Sequence, residues 1–171
     1  MNNFINHYSL VIFAPILLII LFFLISKITK NKLILFSLLF LIILGIIIII
    51  NSFSPKELDG NVKSNEMLSS DKVKFVQVYS QTCIGCIINE PILRDLEVDL
   101  NKEFNFDVMI IKLDVSNKKN FDTIKNLNAF TTPSYIILSS KNTVIWKQSG
   151  GLLNRNHVVN EINNHLALIK R

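Results

Sequence analysis

The chain has 171 residues, half of them hydrophobic, and a formal net charge of +5 at pH 7. Lys27, Lys30 and Lys32 are the only charged side chains among residues 1–50, so the charge of the remainder is nearly balanced. Because the sequence has no basic stripe with interleaved aromatic residues, it argues against nucleic-acid binding. Its two cysteines are too few for a secreted scaffold held together by disulfides.

Two uncharged apolar runs, residues 9–26 and 33–50, fill most of the N-terminal part. A helix of about eighteen residues nearly crosses the hydrocarbon core of a bilayer, and it satisfies its own backbone hydrogen bonds there. We therefore predict a two-helix transmembrane hairpin over residues 1–50. Since neither run contains Cys, Asp, Glu, Lys or Arg, the hairpin is predicted to be an anchor and not a path for ions, protons or electrons.

The distribution of lysines predicts the orientation of this hairpin. The segment 27–32 between the runs is basic, whereas residues 1–8 contain no Lys or Arg. The positive-inside rule places the connecting loop in the cytoplasm and both termini outside. A cleaved signal peptide is the alternative, but the second run is longer than the usual apolar region of about 7–15 residues.

Residues 51–71 are rich in Ser, Asn and charged side chains and contain Pro55 and Gly60. This composition predicts a hydrophilic linker, with a short helix near residues 64–68. We expect the linker to separate the predicted anchor from a domain over residues 72–171.

Residues 72–171 show the alternation of strands and helices that is typical of an α/β domain. Strand–helix–strand at the start and a hairpin near the end predict a central mixed sheet flanked by helices. Pro91 predicts a kink in the first helix of the domain. Periodicity predicts strands at Val73–Tyr79, 106–115, Ser134–Leu138 and 143–148, and helices at 86–102, 121–127 and after Gly151, the last with Val158, Ile162, Leu166 and Ile169 on one face.

The two cysteines stand in Cys83-Ile84-Gly85-Cys86, after the first strand of this domain and at the start of its first helix. A helix N-terminus stabilises a thiolate through its partial positive charge and its free N–H groups. Because the thiolate is the attacking species, we predict that Cys83 is the nucleophile and that Cys86 resolves the mixed disulfide. Gly85 permits close backbone approach, and Ile84 offers an apolar contact to a protein substrate.

Other uses of the cysteine pair are less well supported. A zinc site needs two more ligands, and His157 and His165 lie eight apart on the last helix. Covalent haem attachment requires His directly after the second cysteine, where this chain has Ile87. We predict neither a metal nor a cofactor, and an inert cysteine pair stays an alternative.

The motif Cys83 to Cys86 is followed, in order, by Pro91 five residues later, Lys112-Leu113-Asp114, Thr132-Pro133 and Gly151. With these motifs, residues 73–170 resemble the thioredoxin superfamily. The resemblance implies a thioredoxin-like fold and thiol–disulfide exchange. It also implies that Pro133 is a cis-proline lying against the cysteines, and that the Thr132 backbone binds an extended substrate segment.

The chain departs from the pattern of that family at several positions. Thr82 stands where the family usually has Trp, and the buried acid of many members falls on Gln77, which cannot titrate. Glu90, four residues after Cys86, is a candidate substitute for that acid. An exposed ion pair with Arg94 at i,i+4 is the more common arrangement for such a residue.

Together these features predict a membrane-anchored thiol–disulfide oxidoreductase that acts on extracytoplasmic protein thiols and disulfides. It would need a separate membrane redox partner, because the predicted spans contain no thiols. A reductant is slightly favoured over an oxidant or an isomerase, since no additional cation accompanies Cys83. The alternative is a non-catalytic thioredoxin-fold protein, such as an assembly or export accessory factor, whose cysteines are incidental.

Overall fold

The computed structural model describes residues 9–28, 32–53, 69–104 and 107–169. Two helices come first, α1 (Ser9–Ile28) and α2 (Lys32–Phe53). They confirm the helices predicted at 9–26 and 33–50, and α2 continues three residues into the predicted linker. Residues 54–68, including the short helix predicted near 64–68, lie outside the described residues.

Helices α1 and α2 lie against each other. Many of their large apolar side chains are exposed, including Phe23 and Phe40. In the part of the chain that the structure describes, none of the helices is both long enough and apolar enough to qualify as a membrane span.

The elements of the following domain occur in the predicted order β-α-β-α-β-β-α. Strands Val73–Tyr79 and Ser134–Leu138 have the predicted boundaries, whereas the other elements differ from the predicted ones by a few residues. The predicted kink at Pro91 stays a prediction. The described elements are β1 (Val73–Tyr79), α3 (Ile84–Glu103), β2 (Val108–Asp114), a short 3-10 helix (Lys118–Asn120), α4 (Phe121–Asn126), β3 (Ser134–Leu138), β4 (Val144–Ser149) and α5 (Arg155–Ile169).

The four described strands form one sheet in the order β2-β1-β3-β4. Strand β1 pairs with β2 in parallel, while β1 with β3 and β3 with β4 are antiparallel. This confirms the predicted mixed sheet. The register places Gln77 of β1 opposite both Lys112 of β2 and Tyr135 of β3, so these three residues form one row across the sheet.

Successive side chains of a strand point to opposite faces, so each strand serves two separate cores. One core, the α3 face, packs Phe75 and Ile137 against Leu93 and Leu96 of α3, and Val158 and Ile162 of α5 complete it. The other core, the α4 face, is built around Ile124 of α4. It contains the aliphatic residues Val76, Val78, Ile111, Leu113, Ile136 and Leu138.

Candidate active site

The cysteine pair begins helix α3. Cys83 is the N-cap residue, in an extended conformation with φ −87° and ψ 113°, and its Sγ accepts the Cys86 N–H at 3.3 Å. Its carbonyl oxygen accepts the N–H groups of Cys86 and Ile87 at 3.0 and 3.1 Å. Because Cys83 caps the helix, α3 starts at Ile84, two residues before the predicted start at residue 86. Both thiols are free and fully buried.

The two thiols differ strongly in acidity. The Cys86 thiol donates to Cys83 and lowers its pKa to about 6, with further help from the Thr132 hydroxyl and the N–H groups of Cys86 and Gly85, against the opposing effect of burial. Burial raises the pKa of Cys86 well above its ordinary value. Its hydrogen bond to Cys83 and the negative charge on Cys83 raise it further. Near neutral pH the site therefore holds a Cys83 thiolate beside a protonated Cys86.

Pro133 lies against this pair, as the family resemblance implied. The Thr132–Pro133 peptide bond is cis. A Cβ atom added to Gly85 would stand 3.1 Å from Pro133 Cδ and 3.9 Å from Cys83 Sγ. A side chain at position 85 would thus require Pro133 to shift by a few tenths of an ångström, and glycine avoids this close contact.

Thr132 has a contact that the sequence did not suggest. Its buried hydroxyl forms hydrogen bonds with Cys83 and with Cys86. From the sequence we expected only a backbone role toward substrate for Thr132, and that role stays a prediction. The signal for the side-chain role was the hydroxyl beside the expected cis-proline.

The exposed Glu90–Arg94 pair considered above is wrong in one respect. Arg94 Nε does lie 3.4 Å from Glu90 Oε1, but the Glu90 side chain is only 3% exposed. The same oxygen lies 3.6 Å from Lys112 Nζ, whose side chain is 4% exposed. Lys112 also pairs with Glu97 Oε1 at 2.7 Å. Glu90 is thus a buried carboxylate, held by a buried lysine on the sheet.

Beneath the dithiol the sheet presents two further buried polar side chains, Gln77 and Tyr135. Neither amide atom of Gln77 nor the Tyr135 hydroxyl has a hydrogen-bond partner among the described residues. Burial raises the pKa of Tyr135, and the negative charges of Cys86, Cys83 and Glu90 raise it further. The two thiols and Glu90 are therefore within electrostatic reach of this hydroxyl.

Asn89 fixes the site to a neighbouring loop, a role that the sequence analysis missed. Its Nδ2 donates to the carbonyl oxygens of Gly85 and Gly151 at 2.8 and 2.9 Å. Its Oδ1 accepts the Leu153 N–H at 2.7 Å. A weak signal was present, because Asn is a poor residue for a helix interior and often marks a special hydrogen bond there.

The start of α1 also contacts the site. Ser9 Oγ accepts the backbone N–H of Ile84 at 3.1 Å. No sequence pattern connects residues so far apart in the chain. Ile84 is half-buried here, and its predicted contact with substrate stays a prediction.

The described residues contain no cluster of three His, Cys, Asp or Glu side chains able to hold a metal ion. His157 lies instead near Glu161 and against the Trp146 ring.

No protein-family model and no curated protein matches the chain. Several solved structures resemble it at low identity. The thioredoxin of Trypanosoma brucei brucei is 16% identical over 67% of this chain and 94% of its own, with a TM-score of 0.48. Mitochondrial thioredoxin 3 from Saccharomyces cerevisiae is 17% identical over 57% and 83%, with a TM-score of 0.44. A chain from a structure on thiol resolution in yeast mitochondrial 1-Cys peroxiredoxin is 17% identical over 63% and 92%, with a TM-score of 0.46.

The assignment of the fold depends on the chain's own geometry. The mixed sheet, the dithiol at the start of α3 and the cis Thr132–Pro133 bond against it agree with the family resemblance. Residues 73–104 and 107–169 form a thioredoxin-like domain.

Proposed function

We propose that the chain is a membrane-anchored thiol–disulfide oxidoreductase that acts on extracytoplasmic protein thiols and disulfides. The observation that carries the proposal is the difference between the two cysteines at the start of α3. Cys83 receives hydrogen bonds that stabilise its thiolate, with a pKa of about 6, while Cys86 remains protonated beside it. A thiolate nucleophile next to a protonated resolving thiol is what disulfide exchange requires.

The reaction proceeds in two exchanges. The Cys83 thiolate attacks one sulfur of a substrate disulfide, forms a mixed disulfide and releases the other substrate sulfur as a thiolate. Cys86 then loses its proton and attacks Cys83 Sγ, which forms the Cys83–Cys86 disulfide and frees the second substrate thiolate. Two electrons pass from the dithiol to the substrate, and the reverse sequence oxidises a substrate dithiol.

Protein substrates fit the surroundings of the dithiol. We propose that the Thr132 backbone pairs with an extended substrate segment and that Ile84 and Gly85 contact it beside Pro133. Exposed apolar side chains stand nearby in the chain: Ile88 on α3 is 56% exposed, and Leu152, next to Gly151, is 68% exposed. We propose that these two side chains add apolar contacts to the bound segment.

The membrane anchor is proposed from the sequence of the hairpin. The uncharged runs at 9–26 and 33–50 and the lysines between them favour insertion with both termini and the domain outside. The contact of Ser9 with Ile84 supports a dithiol close to the outer surface of the bilayer, because Ser9 begins the first predicted span. A separate membrane protein would then exchange electrons with the dithiol.

A reductant is the favoured direction. The groups that lower the pKa of Cys83 are hydrogen-bond donors and not a neighbouring cation. A value of about 6 is closer to that of thioredoxin, near 7, than to that of the strong oxidant DsbA, near 3.5. We expect a reduction potential nearer to about −270 mV than to about −120 mV, measured by equilibration of the purified full-length chain with glutathione.

Substrate trapping tests the proposed activity. In cells, a Cys86→Ser chain should accumulate mixed disulfides with extracytoplasmic proteins, because Cys83 attacks and nothing resolves the product. A Cys83→Ser chain is the matched control and should trap none. Equal capture of the same proteins by both variants, insensitive to reductant, would favour the non-catalytic binding protein instead.

Protease added to intact cells tests the topology, and protection of the domain would overturn the proposed orientation.

A further inference from the structure

Asn89 is a buried amide on helix α3, and its side-chain hydrogen bonds to the described residues all go to backbone groups. One bond stays within the helix, from Nδ2 to the Gly85 carbonyl oxygen at 2.8 Å. The others cross to the loop after β4, where Nδ2 donates to the Gly151 carbonyl oxygen at 2.9 Å and Oδ1 accepts the Leu153 N–H at 2.7 Å. Because a buried amide is costly unless it is paired, these bonds make Asn89 a specific link between α3 and the 150–153 loop.

The same loop is also bound to Pro133. The Gly150 N–H donates to the Pro133 carbonyl oxygen at 2.7 Å. Gly150 and Gly151 both have left-handed backbone angles, with φ 75° and 76°, which residues other than glycine adopt rarely. The chain turns sharply at these two residues, so that the N–H of Gly150 reaches Pro133 while the carbonyl of Gly151 reaches Asn89. The 150–153 loop is thus a bridge from Asn89 to Pro133.

A direct contact between Pro133 and Gly85 closes these bonds into a contact ring. A Cβ atom at position 85 would lie 3.1 Å from Pro133 Cδ, so the helix start and the proline stand against each other. The contact ring runs from Gly85 to Asn89, through Gly151 and Gly150, to Pro133 and back to Gly85. Asn89 is the member that a substitution can disconnect while the glycines and the proline stay in place.

The contact ring joins two segments that both bind the Cys83 sulfur. The Gly85 N–H at the start of α3 and the Thr132 hydroxyl, next to Pro133, each stabilise the Cys83 thiolate and lower its pKa. Both hydrogen bonds depend on how closely the helix start and the Thr132–Pro133 segment approach each other. A link that fixes this approach therefore acts on the reactivity of Cys83.

Asn89 does not act on Cys83 directly. It is uncharged, and it is absent from the groups that set the pKa of Cys83. Among the described residues, the titratable groups that act on Cys83 or respond to its charge are Cys86 on α3 and Tyr135 on β3. Neither of them is a described hydrogen-bond partner of the Asn89 side chain. Any effect of Asn89 on the ionisation of Cys83 must pass through the position of the two joined segments.

We propose that Asn89 is a positioning residue for disulfide exchange, which holds Pro133 against the start of α3 through the 150–153 loop. The inference rests on the proposed function and deepens it. The loop also carries Leu152, whose exposed side chain belongs to the surface offered to substrate. Asn89 thus holds the groups around the nucleophile and one part of the proposed substrate surface in a single arrangement.

The pH dependence of alkylation by iodoacetamide tests the inference on the reduced, purified full-length chain. Asn89→Leu replaces the amide with an apolar side chain of similar size and removes its hydrogen bonds. Gln148→Leu is the matched control, because Gln148 Nε2 donates to the Gly150 and Leu152 carbonyl oxygens at 2.9 and 3.0 Å. Its loss loosens the same loop without detaching it from α3. Melting temperatures verify folding, and Asn89→Ser takes the place of Asn89→Leu if that variant does not fold.

For Asn89→Leu we expect the alkylation midpoint of Cys83 to rise from about 6 by about one pH unit, because two hydrogen bonds to the thiolate weaken together. Gln148→Leu should keep the midpoint within about 0.3 pH unit of wild type. Both variants should lower the melting temperature, since each leaves backbone groups of the loop without their side-chain partners. Stability alone therefore does not distinguish them, whereas the midpoint does.

A double variant tests whether Asn89 acts through the contact between Gly85 and Pro133. Gly85→Ala requires Pro133 to shift by a few tenths of an ångström and should raise the midpoint by a smaller amount than Asn89→Leu. Combined with Asn89→Leu it should raise the midpoint no further, because both substitutions act on the same contact.

Three results would overturn the inference. They are a midpoint in Asn89→Leu equal to that of wild type, an equal rise in Asn89→Leu and Gln148→Leu, and additive rises in the double variant with Gly85→Ala. Failure of the proposed function is distinguishable from all three. In that case the Cys83 midpoint of wild type itself would lie near the ordinary cysteine value of about 8.5, and Cys86→Ser would trap no substrate.

Discussion

The two faces of the sheet are made from the same strands but from very different side chains. The α4 face has an aliphatic core, with Val76, Val78 and Ile136 at its centre. Lys74 at the start of β1 is also buried on this face, where its Nζ donates to the carbonyl oxygens of Ser70 and Ser140. The α3 face is aromatic and aliphatic near Phe75, yet it carries Lys112, Gln77 and Tyr135 in one row across the strands. That row lies beneath the start of α3, where Cys83 and Cys86 stand.

This difference shows that one face of the sheet mainly stabilises the fold, whereas the other face surrounds the reactive thiols. Aliphatic side chains stabilise by removing apolar area from water and leave no polar group unpaired. A buried amide without a partner and a buried ion pair contribute little to stability or oppose it. On the α3 face such groups are concentrated where the thiols need charged and polar neighbours, and the aliphatic α4 face offsets their cost.

The largest effect is expected from a cavity in the α4 face. Ile136→Ala removes a fully buried side chain from this core and should lower the free energy of unfolding by about 2–5 kcal/mol. In a domain of this size that corresponds to a melting temperature lower by roughly 10 °C or more. Thermal unfolding of the full-length chain, followed by circular dichroism, measures it.

The same variant should leave the chemistry of the dithiol unchanged. The pH midpoint for alkylation of Cys83 by iodoacetamide should stay at about 6, because no group that sets this pKa lies on the α4 face. A midpoint displaced by a pH unit in Ile136→Ala would contradict the separation of the two faces.

Much of the architecture was readable in the sequence. The residues Val73–Tyr79 predicted a strand, and both the order of elements and the mixed sheet are confirmed. The spacing of the cysteines and their place after a strand predicted the helix start. These features are local, since periodicity and cap position follow from the order of residues alone.

The contacts within the site were less accessible from sequence. The burial of Glu90 and its pairing with Lys112 depend on α3 crossing the sheet at one particular place, which no local pattern reveals. The hydrogen bonds of Asn89 to Gly85 and Gly151 likewise join segments far apart in the chain. The cis Thr132–Pro133 bond was predicted through resemblance alone, since a trans bond is the usual form of such a peptide.

A smaller effect is expected from a substitution of Thr132, whose hydroxyl lies beside the dithiol. Thr132→Val removes the hydroxyl that stabilises the Cys83 thiolate. A hydrogen bond to a charged group contributes about 1.5–3 kcal/mol, so the pKa of Cys83 should rise from about 6 to about 7 or above. Iodoacetamide alkylation between pH 4 and 9 measures it, since the rate follows the thiolate and rises with pH through the pKa.

Thr132→Ser is the matched control, because it retains the hydroxyl and should keep the midpoint near 6. The same ionisation acts on stability. The pKa of Cys83 in the folded chain lies below its unfolded value of about 8.5, so its contribution to the stability of the reduced chain is fully present above about pH 8.5 and is lost as the pH falls through about 6. Identical midpoints in wild type and Thr132→Val would show that the hydroxyl does not stabilise the thiolate.

The smallest effect is expected from making the α3 face more like the α4 face. Gln77→Leu replaces a buried amide that has no partner among the described residues with an apolar side chain of similar size. It should raise the free energy of unfolding by about 1 kcal/mol, since no buried donor or acceptor is left without a partner. The midpoint of Cys83 alkylation should not move, because Gln77 is absent from the groups that set its pKa. The reverse exchange, Leu113→Gln on the α4 face, should instead lower the melting temperature, as it buries an amide among aliphatic side chains. A lower melting temperature in Gln77→Leu would contradict this expectation. It would show that the row of Lys112, Gln77 and Tyr135 stabilises the folded chain.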